Sequence, residues 1–392
     1  MVAGARCARQ KMHIDKFTYA SGSGWSVPKL PDGDSEDTLV LVFAGQGFID
    51  DDAPLRVLRA AYPRAKMLGC STAGEIHGTS IEDASLSVAV AHFDKSKLRA
   101  AVAPVPTQAD SFAAGENVAR ALAGDDLRAV FVLSDGLSVN GSELLRGINS
   151  RLPASVVVTG GLAGDGSRFQ RTWVLEEGVP AEHRVSAIGF YGDDLCVSHG
   201  SRGGWDIFGP ERVVTRSKGN VLYELDGQPA LALYKRYLGD RAAGLPATAL
   251  LFPLAVRAAE TDPVLVRTIL AVNEEDNSMT FAGDVPQGAR AQLMRANFDR
   301  LIEGAGMAAV ATGGSAARPD GEVDSLVVAI SCVGRRIVLG ERTEEEVEAA
   351  AHALAPGAAL VGFYSYGELS PVASGRCELH NQTMTITRIA EV

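Results

Sequence analysis

Residues 38–43 (TLVLVF) and, one helix later, residues 69–75 (GCSTAGE) form the strand-helix-strand unit on which the fold prediction depends. The first run is continuously apolar, which is typical of a strand buried on both faces. Acidic residues at 50–52 and Pro54 favour a helix start, because acids stabilise the positive end of the helix dipole and proline fits the first turn. Pro63 ends that helix. The unit predicts two buried strands joined by a helix, with a small polar turn after the second strand.

The same pattern occurs again in the middle of the chain. Residues 129–133 (AVFVL) are the apolar strand, and residues 159–165 (TGGLAGD) are the turn. Asn140 with Glu143 predicts the N-terminal cap of the helix between them. The turn has the same small-x-x-x-Ala-Gly-acid form as residues 69–75, which indicates an internal repeat.

Spacing supports the repeat, and a looser third copy lies near the C-terminus. The interval from Ala44 to Gly69 equals that from Ser134 to Thr159. The third copy consists of the strand 325–330 (SLVVAI), a predicted capping box at 343–346 (TEEE) and the turn 362–368 (GFYSYGE). Because parallel strands need such crossovers, the three units predict an α/β fold with mixed sheets.

The chain is expected to divide into two lobes built from these strand-helix-strand units. Turn-rich sequence at 209–220 precedes a new helix pattern, so we place the boundary after residue 226. The predicted domains are an N-terminal extension and irregular lead-in (1–35), an N-terminal lobe (36–226) and a C-terminal lobe (227–392). Met12 is a natural alternative start, which would leave 1–11 as an unstructured extension. Residues 84–91 alternate in polarity and predict half-exposed antiparallel strands.

Composition narrows the class of protein. The 392 residues include 37 Lys and Arg against 48 Asp and Glu, a net charge of −11, which disfavours nucleic acid and anionic membranes as partners. No apolar stretch approaches the roughly 18–20 residues of a spanning helix, and the N-terminus lacks the apolar core of a signal peptide. The five cysteines are scattered without a CxxC pair, which favours a reducing cytoplasm over a disulfide framework.

The three turns are the predicted ligand-binding surface. In open α/β sheets ligands bind beyond the carboxyl ends of strands, where loops leave unpaired donors. The alternative is structural: the glycines make tight turns, the hydroxyls satisfy backbone groups and the acids cap helices or pair with arginines. The side chains that these turns offer to a ligand are Cys70, Ser71, Thr72, Glu75, Tyr364, Ser365 and Glu368.

Nucleotide binding, cysteine catalysis and haem binding are the other functions for which the sequence can be searched. The chain has no GxxxxGK[ST] motif, and residues 160–166 do not fit GxGxxG. Cys70 is a candidate nucleophile if the fold brings a base such as His77 to it. His380 is a candidate axial ligand of non-covalent haem, with Asn381 beside it to orient the ring or contact a ligand. The structural alternative is a histidine hydrogen-bonded where the alternating strand 383–387 begins.

Two blocks of sequence resemble the FIST sensory family. Residues 69–76 (GCSTAGEI) are similar to its N-terminal half, and residues 362–371 (GFYSYGELSP) with 377–383 (CELHNQT) are similar to its C-terminal half, so that the likeness covers about residues 36–390. The resemblance implies an intracellular, non-catalytic, ligand-binding sensor, for which amino acids are among the proposed ligands. It also implies a haem-binding branch that senses nitric oxide and regulates histidine kinases or cyclic-di-GMP enzymes.

Three hypotheses follow from the residues and the resemblance together. The first is a standalone nitric oxide sensor that binds haem through His380 and regulates a separate histidine kinase or cyclic-di-GMP enzyme. The second is a sensor of another small ligand, such as an amino acid, bound by the polar turns. The third is a cysteine-dependent enzyme that uses Cys70.

Overall fold

The computed structural model describes residues 12–313 and 324–392. The predicted extension 1–11, with Cys7, lies outside the described residues. The strands in chain order are β1 (His13–Ala20), β2 (Gly24–Trp25), β3 (Thr38–Ala44), β4 (Lys66–Ser71), β5 (Glu75–His77), β6 (Ser80–Glu82), β7 (Ser85–His92), β8 (Lys97–Pro104), β9 (Leu127–Ser134), β10 (Val157–Leu162), β11 (Val174–Glu176), β12 (Val179–Ala181), β13 (Arg184–Tyr191), β14 (Leu195–Arg202), β15 (Asp206–Lys218), β16 (Val221–Leu225), β17 (Gln228–Pro229), β18 (Leu254–Arg257), β19 (Leu265–Arg267), β20 (Ile269–Asn273), β21 (Ser278–Phe281), β22 (Arg290–Arg295), β23 (Ser325–Cys332), β24 (Ala358–Ser365), β25 (Gly367–Pro371), β26 (Cys377–His380) and β27 (Met384–Glu391).

The α-helices in the described residues are α1 (Ala53–Ala61), α2 (Ser111–Leu122), α3 (Gly141–Asn149), α4 (Ala230–Leu238), α5 (Phe298–Ala311), α6 (Val333–Leu339) and α7 (Thr343–His352). Four of these seven α-helices connect the parallel strands of the three units: α1, α3, α6 and α7. Short 3-10 helices lie at Gln46–Ile49, Gln108–Asp110, Gly239–Gly244, Ala247–Leu251 and Gly340–Arg342. Within the described residues, no helix is both long enough and apolar enough to cross a membrane.

Three sheets, each built around one parallel strand pair, confirm the predicted α/β class with mixed sheets. The parallel pairs are β3–β4 in the first sheet, β9–β10 in the second and β23–β24 in the third. Antiparallel strands β7, β13 and β27 flank them on the other side. Pro54 lies in the first turn of α1, and the Asn140 side chain accepts a hydrogen bond from the backbone N–H of Glu143 at 3.1 Å, as the sequence predicts.

The three units exchange strands in a cycle. After the first turn the chain continues into β5, which pairs with β24 of the third sheet. After the second turn β11 pairs with β4 of the first sheet, and after the third turn β25 pairs with β10 of the second sheet. Because every sheet includes a strand from another unit, no unit completes its sheet alone.

The turns themselves meet at the centre of this ring. Backbone N–H groups of Ala73, Gly164 and Tyr366 donate to the carbonyl oxygens of Tyr364, Ser71 and Leu162 at 2.8, 2.9 and 3.2 Å, so that each turn bonds to another. Around them a common core gathers apolar side chains from all three sheets, with the rings of Phe43 and Phe363 stacked 4.7 Å apart. The three bends are therefore one central feature of the fold.

The structural equivalence of the turns corrects the repeat register by one residue. Gly69, Gly160 and Gly362 occupy the same place, because a Cβ at any of them would collide with the carbonyl oxygen of the neighbouring parallel strand. The second turn is thus 160–166, and Asp165 corresponds to Gly74 rather than to Glu75. The equal intervals counted from Thr159 gave the wrong alignment, because the second crossover is one residue longer.

Three local predictions are also wrong. Residues 13–20, assigned to the irregular lead-in, form β1, which pairs along its whole length with β7. Strand β7 is antiparallel as predicted but buried on both faces rather than half-exposed, because its alternate side chains pack into two different apolar cores. The capping box at 343–346 does not form, because Thr343 is already helical and Glu346 is a buried ion-pair partner.

A fourth, antiparallel sheet is formed by residues 206–295 and packs with α4 around its own apolar core. The predicted domain boundary after residue 226 falls inside this sheet, in the hairpin between β16 and β17. The division into two lobes stays a prediction. At residue 226 itself the chain makes the turn of a hairpin.

We predict that Gly362→Ala destabilises the protein by roughly 3 kcal/mol, because the added methyl group would force β23 and β24 apart at the centre of the ring. Urea unfolding of the two proteins measures the difference. Gly22→Ala is the matched control, since a Cβ at Gly22 meets no atom within 4 Å. Equal stability of both variants would contradict the role assigned to the close strand approach.

Candidate functional site

Glu75 is the acidic group of the first turn, and its carboxylate is held by three hydrogen bonds. Thr72 Oγ1 donates to Oε1, while the backbone N–H and the hydroxyl of Ser85 both donate to Oε2 at 2.9 Å. The residue is only 2% exposed. Burial outweighs these hydrogen bonds and raises the pKa of Glu75 to about 7.

The third turn repeats this arrangement around Glu368. Ser365 Oγ donates to Oε1 at 2.8 Å, and Thr383 donates to Oε2 from its backbone N–H at 3.2 Å and its hydroxyl at 2.9 Å. Burial raises the pKa of Glu368 to about 8. Two of the three turns therefore hold a buried carboxylate between hydroxyl donors in the same way.

The second turn differs because Gly166 stands where the others have glutamate. Asp165, one position earlier, accepts hydrogen bonds from the backbone N–H groups of Phe169, Gln170 and Arg171 at 2.8, 2.9 and 3.0 Å. The hydroxyl of Tyr366 also donates to it. Although burial acts to raise it, these hydrogen bonds lower the pKa of Asp165. Asp165 is thus a structural anion that organises its own loop.

A cavity of about 700 Å³, here called the Arg336 cleft, lies beside the first turn. Segments from distant parts of the chain line it: Gly45, Gln46, Gly47, Thr72, Ala73, Glu75, Asp83, Ala84, Gly166, Ser167, Arg168, Val333, Arg336 and Ile337. The cleft therefore brings two guanidinium groups, two carboxylates and a threonine hydroxyl to one surface. This combination of charges can bind a small polar molecule that carries both signs.

Arg336 is the residue that closes one side of the cleft. Its Nη1 donates to the carbonyl oxygen of Ala73 at 2.6 Å and to Asp83 Oδ1 at 2.7 Å, and its Nη2 donates to Asp83 Oδ2 at 2.8 Å. Arg168 is exposed at the mouth, and within the described part of the chain no hydrogen bond or ion pair engages its guanidinium. One arginine thus braces the first turn while the other is available to a ligand.

The predicted site residues of the first turn separate into two pairs. Thr72 and Glu75 line the cleft. Ser71 instead accepts a hydrogen bond from the backbone N–H of Trp173 at 3.0 Å, and Cys70 is fully buried in β4. Burial, with the nearby Glu75 carboxylate, raises the pKa of the Cys70 thiol well above its usual value.

The predicted residues of the third turn are buried behind the cleft. Tyr364 donates its hydroxyl to Glu346 Oε1 at 2.9 Å, and its ring lies under the Arg336 guanidinium, with the centroid 5.5 Å away. Ser365 and Glu368 are fully buried and bonded to each other. None of these three residues lines the cleft, and only Tyr364 supports it, through its contact with Arg336.

Sequence reasoning missed Asp83, Arg168 and Arg336, which supply most of the charge in the cleft. None belongs to a turn motif: Asp83 follows β6, Arg168 lies in the loop after the second turn, and Arg336 is in α6. The one available signal was the dipeptide Arg335-Arg336 directly after the third buried strand, the position where ligands gather in α/β sheets.

His380 lies in β26, apart from the residues that line the Arg336 cleft. Its Nε2 is 3.1 Å from the carbonyl oxygen of Ser370, and the Asn381 side-chain N–H donates to the His380 carbonyl at 3.0 Å. Burial of the ring lowers the pKa of His380 to about 4, so that the imidazole is neutral. This geometry matches the structural alternative, a histidine hydrogen-bonded next to a strand.

The surroundings of His380 decide whether it could serve as an axial ligand of haem. A neutral imidazole suits iron, yet Nε2 faces a backbone carbonyl, and none of the four cavities characterised in the described residues includes His380 in its lining. As arranged here, the residues around His380 do not fit a haem group.

Comparison with known proteins identifies two sequence domains. The family model described as the FIST N domain matches residues 38–228, and the FIST C domain model matches residues 230–371. No curated protein matches the chain.

Likeness to solved structures is weak. Cyanuric acid hydrolase from A. caulinodans is 10% identical, with 97% of this chain and 99% of that chain covered and a TM-score of 0.37. PurLQS from Thermotoga maritima is 10% identical, with 91% of this chain and 66% of that chain covered and a TM-score of 0.17. Such low scores indicate neither a shared fold nor a shared activity.

We predict that the free energy of unfolding falls as pH rises from about 6.5 to 8. In the folded protein the pKa values of Glu75 and Glu368 are raised to about 7 and 8, so both side chains keep their protons near neutral pH. In the unfolded chain the pKa of a glutamate is 4.5, so the same side chains have already lost them. Each such group contributes a slope of at most about 1.4 kcal/mol per pH unit. The pKa values of His77 and His380 are lowered from 6.5 to about 4, so these two residues make the protein more stable as pH rises, but only up to about pH 6.5. They therefore oppose the effect of the glutamates below that pH and not above it.

Urea unfolding at stepped pH measures this slope. Glu368→Gln is expected to flatten it, because the amide keeps the hydrogen-bonding shape without titrating. The exposed Glu348→Gln is the control and should follow the wild-type curve. Parallel curves for Glu368→Gln and wild type would show that the buried carboxylate is not the source of the slope.

Proposed function

The chain belongs to the FIST family, and from this premise we propose that it senses a small polar metabolite, such as an amino acid, in the Arg336 cleft. FIST domains are sensory ligand-binding domains of signalling proteins. The observation that carries the proposal is the juxtaposition of Arg168, free of protein partners in the described residues, with the carboxylates of Asp83 and Glu75 across the same cavity.

The charges of the cleft suit a zwitterion. A ligand carboxylate would bind Arg168 and compete with Asp83 for Arg336, and a ligand ammonium group would bind the Asp83 carboxylate that this exchange releases. Asp83 is 70% exposed in its side chain, so its ion pair with Arg336 is of the solvent-exposed kind that contributes only about 0–1 kcal/mol. Exchange of that pair for a ligand is therefore inexpensive.

Helix α6 could transmit the effect of ligand binding from the cleft to the interior of the protein. Arg336 faces the cleft, whereas its neighbour Arg335 is fully buried and pairs with Glu346 at 2.7 Å. A ligand that draws Arg336 away from Asp83 would act on this anchored helix and on the first turn together. We propose that the resulting shift is detected by a separate cytoplasmic signalling protein, such as a histidine kinase or a cyclic-di-GMP enzyme.

We propose a binding role rather than catalysis. Cys70 is buried and its thiol has a raised pKa, which is opposite to the activation that a nucleophilic thiolate needs. His77, the base considered from sequence, lies in β5 with Nδ1 3.1 Å from Ser87 Oγ. Both features support a sensor without a cysteine nucleophile.

We predict that at least one member of a panel of free amino acids raises the melting temperature. A ligand that binds only the folded state adds about 2.7 kcal/mol of stability at a 100-fold excess over its Kd. Arg336→Met should abolish the shift, since it removes the guanidinium that braces the cleft. Arg120→Met, at an exposed arginine on α2, is the matched control and should keep it. No shift with any amino acid in the wild-type protein would refute the metabolite proposal.

Haem binding with nitric oxide sensing stays a separate prediction. It requires His380 to exchange its contact with Ser370 for iron and the strands around it to open. Protein expressed with a haem precursor should then show a Soret band that shifts with nitric oxide and is altered in His380→Ala. Identical spectra with and without His380 would eliminate it as the axial ligand.

A further inference from the structure

A second cavity, of about 440 Å³, lies where the fourth sheet meets the second sheet and α3, and it is here called the Arg267 cavity. Arg267, the last residue of β19, lines it and is only 4% exposed. Its Nε donates to the carbonyl oxygen of Asp284 at 2.9 Å, and its Nη1 donates to those of Leu379 at 2.9 Å and Val266 at 3.3 Å. Within the described residues Nη2 has no hydrogen-bond partner.

The charge of Arg267 has no direct ion-pair partner among the described residues. No carboxylate of the described residues lies within ion-pair distance of its guanidinium: three backbone carbonyl oxygens accept its hydrogen bonds, and Glu378 and Asp284 act on it only from longer range. Burial lowers the pKa of Arg267 to about 10, which reflects the cost of keeping this group charged away from water. A buried cation with a free donor that borders a cavity is a place for an anion.

Other charged groups of the cavity are mostly engaged. Glu143 is paired with Arg146 at 2.6 Å, Asp284 accepts from the Asn140 amide at 3.2 Å, and Asp262 accepts from the backbone N–H of Ala259 at 3.0 Å. These three carboxylates are thus held by other partners, and none of them forms an ion pair with Arg267. Two groups of the lining remain without side-chain partners among the described residues: the Arg376 guanidinium and the Glu378 carboxylate.

Apolar side chains complete the wall. Val256, Leu265 and Val372 line the cavity together with two prolines, so that a ligand bound at the guanidinium would have its remaining part against hydrocarbon. A phosphate would gain nothing from such a wall, whereas a short-chain carboxylate would bury its alkyl chain there. The lining therefore favours anions that carry an alkyl chain over those that do not.

We propose that the Arg267 cavity binds a short-chain apolar carboxylate, with the carboxylate on Arg267 and Arg376 and the alkyl chain along Val256, Leu265 and Val372. This site is distinct from the Arg336 cleft and does not depend on the function proposed for it. Because Arg267 belongs to β19 and donates to Leu379 of β26, a ligand here would tie the fourth sheet to the second sheet. The cavity would therefore couple the fourth sheet to the central ring.

Calorimetric titration of the full chain with 4-methylpentanoate at constant ionic strength tests the proposal. We expect saturable binding, and 4-methylpentanamide, which has the same shape without the charge, should bind roughly ten- to hundredfold more weakly. Inorganic phosphate should bind more weakly than the carboxylate. Absence of saturable binding, or equal affinity for the acid and either comparison compound, would overturn the proposal.

Paired variants give the sharper test, because two substitutions should act in opposite directions. Arg267→Met should weaken 4-methylpentanoate binding at least tenfold, and Arg267→Lys should recover part of it. Glu378→Gln should tighten binding, since it removes a carboxylate that faces the same cavity. Arg120→Met is the control and should change nothing.

The variants also cover misfolding and the competing ligand class. If Arg267→Met does not fold, the Lys and Gln variants still decide the matter. Unchanged affinity in the Arg267 variants overturns the proposal, and so does weaker binding in Glu378→Gln, which would indicate an amine-bearing ligand. Amino-acid binding in the Arg336 cleft should survive Arg267→Met, so failure at one site is distinguishable from failure at the other.

Discussion

Close approach of three backbone turns at the centre of the molecule is the constraint on which the remaining structure depends. Each turn follows a parallel strand whose glycine lies against the carbonyl oxygen of its neighbour, and each turn donates one backbone hydrogen bond to another turn. A side chain at Gly69, Gly160 or Gly362 would separate the strands before the turns could meet. The cyclic exchange of β5, β11 and β25 then makes the three sheets mutually dependent. Such non-local pairing has to form as a whole, because no sheet is complete until all units are present.

The same geometry determines where the acids lie. In the first and third turns a glutamate stands two residues after the one that donates the central hydrogen bond. Ser85 holds the first glutamate and Thr383 the second, each through its hydroxyl and its backbone N–H. In the second turn a glycine takes that position, and the chain makes a loop organised by Asp165 instead. This loop carries Arg168 to the mouth of the Arg336 cleft. The second turn therefore differs from the other two in a way that adds a positive charge, that of Arg168, to the Arg336 cleft.

Helix α6 connects the cleft to the interior through two adjacent arginines. Arg335 is buried with Glu346, and that carboxylate also accepts from Ser331 and Tyr364, at 2.9 Å each. A buried ion pair of this kind is weak evidence for net stability, but it allows few alternative positions for the helix. Arg336 then reaches across to Ala73 and Asp83 from a helix whose placement is already determined. The Arg336 cleft and the Arg267 cavity both lie between segments distant in sequence, where a bound ligand can change how those segments pack against each other.

Local sequence determined the strand-helix-strand units, the start of α1 and the cap of α3, because apolar runs, Pro54 and Asn140 act through neighbours within a few residues. It also determined that residues 69–75 and 362–368 are small polar turns, and the resemblance of these blocks identified the family. Sequence did not reveal that residues 13–20 form a strand, because the strand with which they pair, β7, lies about 70 residues further along the chain. Nor did it separate Thr72 and Glu75, which line the cleft, from Cys70 and Ser71, which do not. Only the tertiary structure decided that the three turns touch and that Asp83, Arg168 and Arg336 meet beside the first, because strand exchange places residues from remote units on one surface.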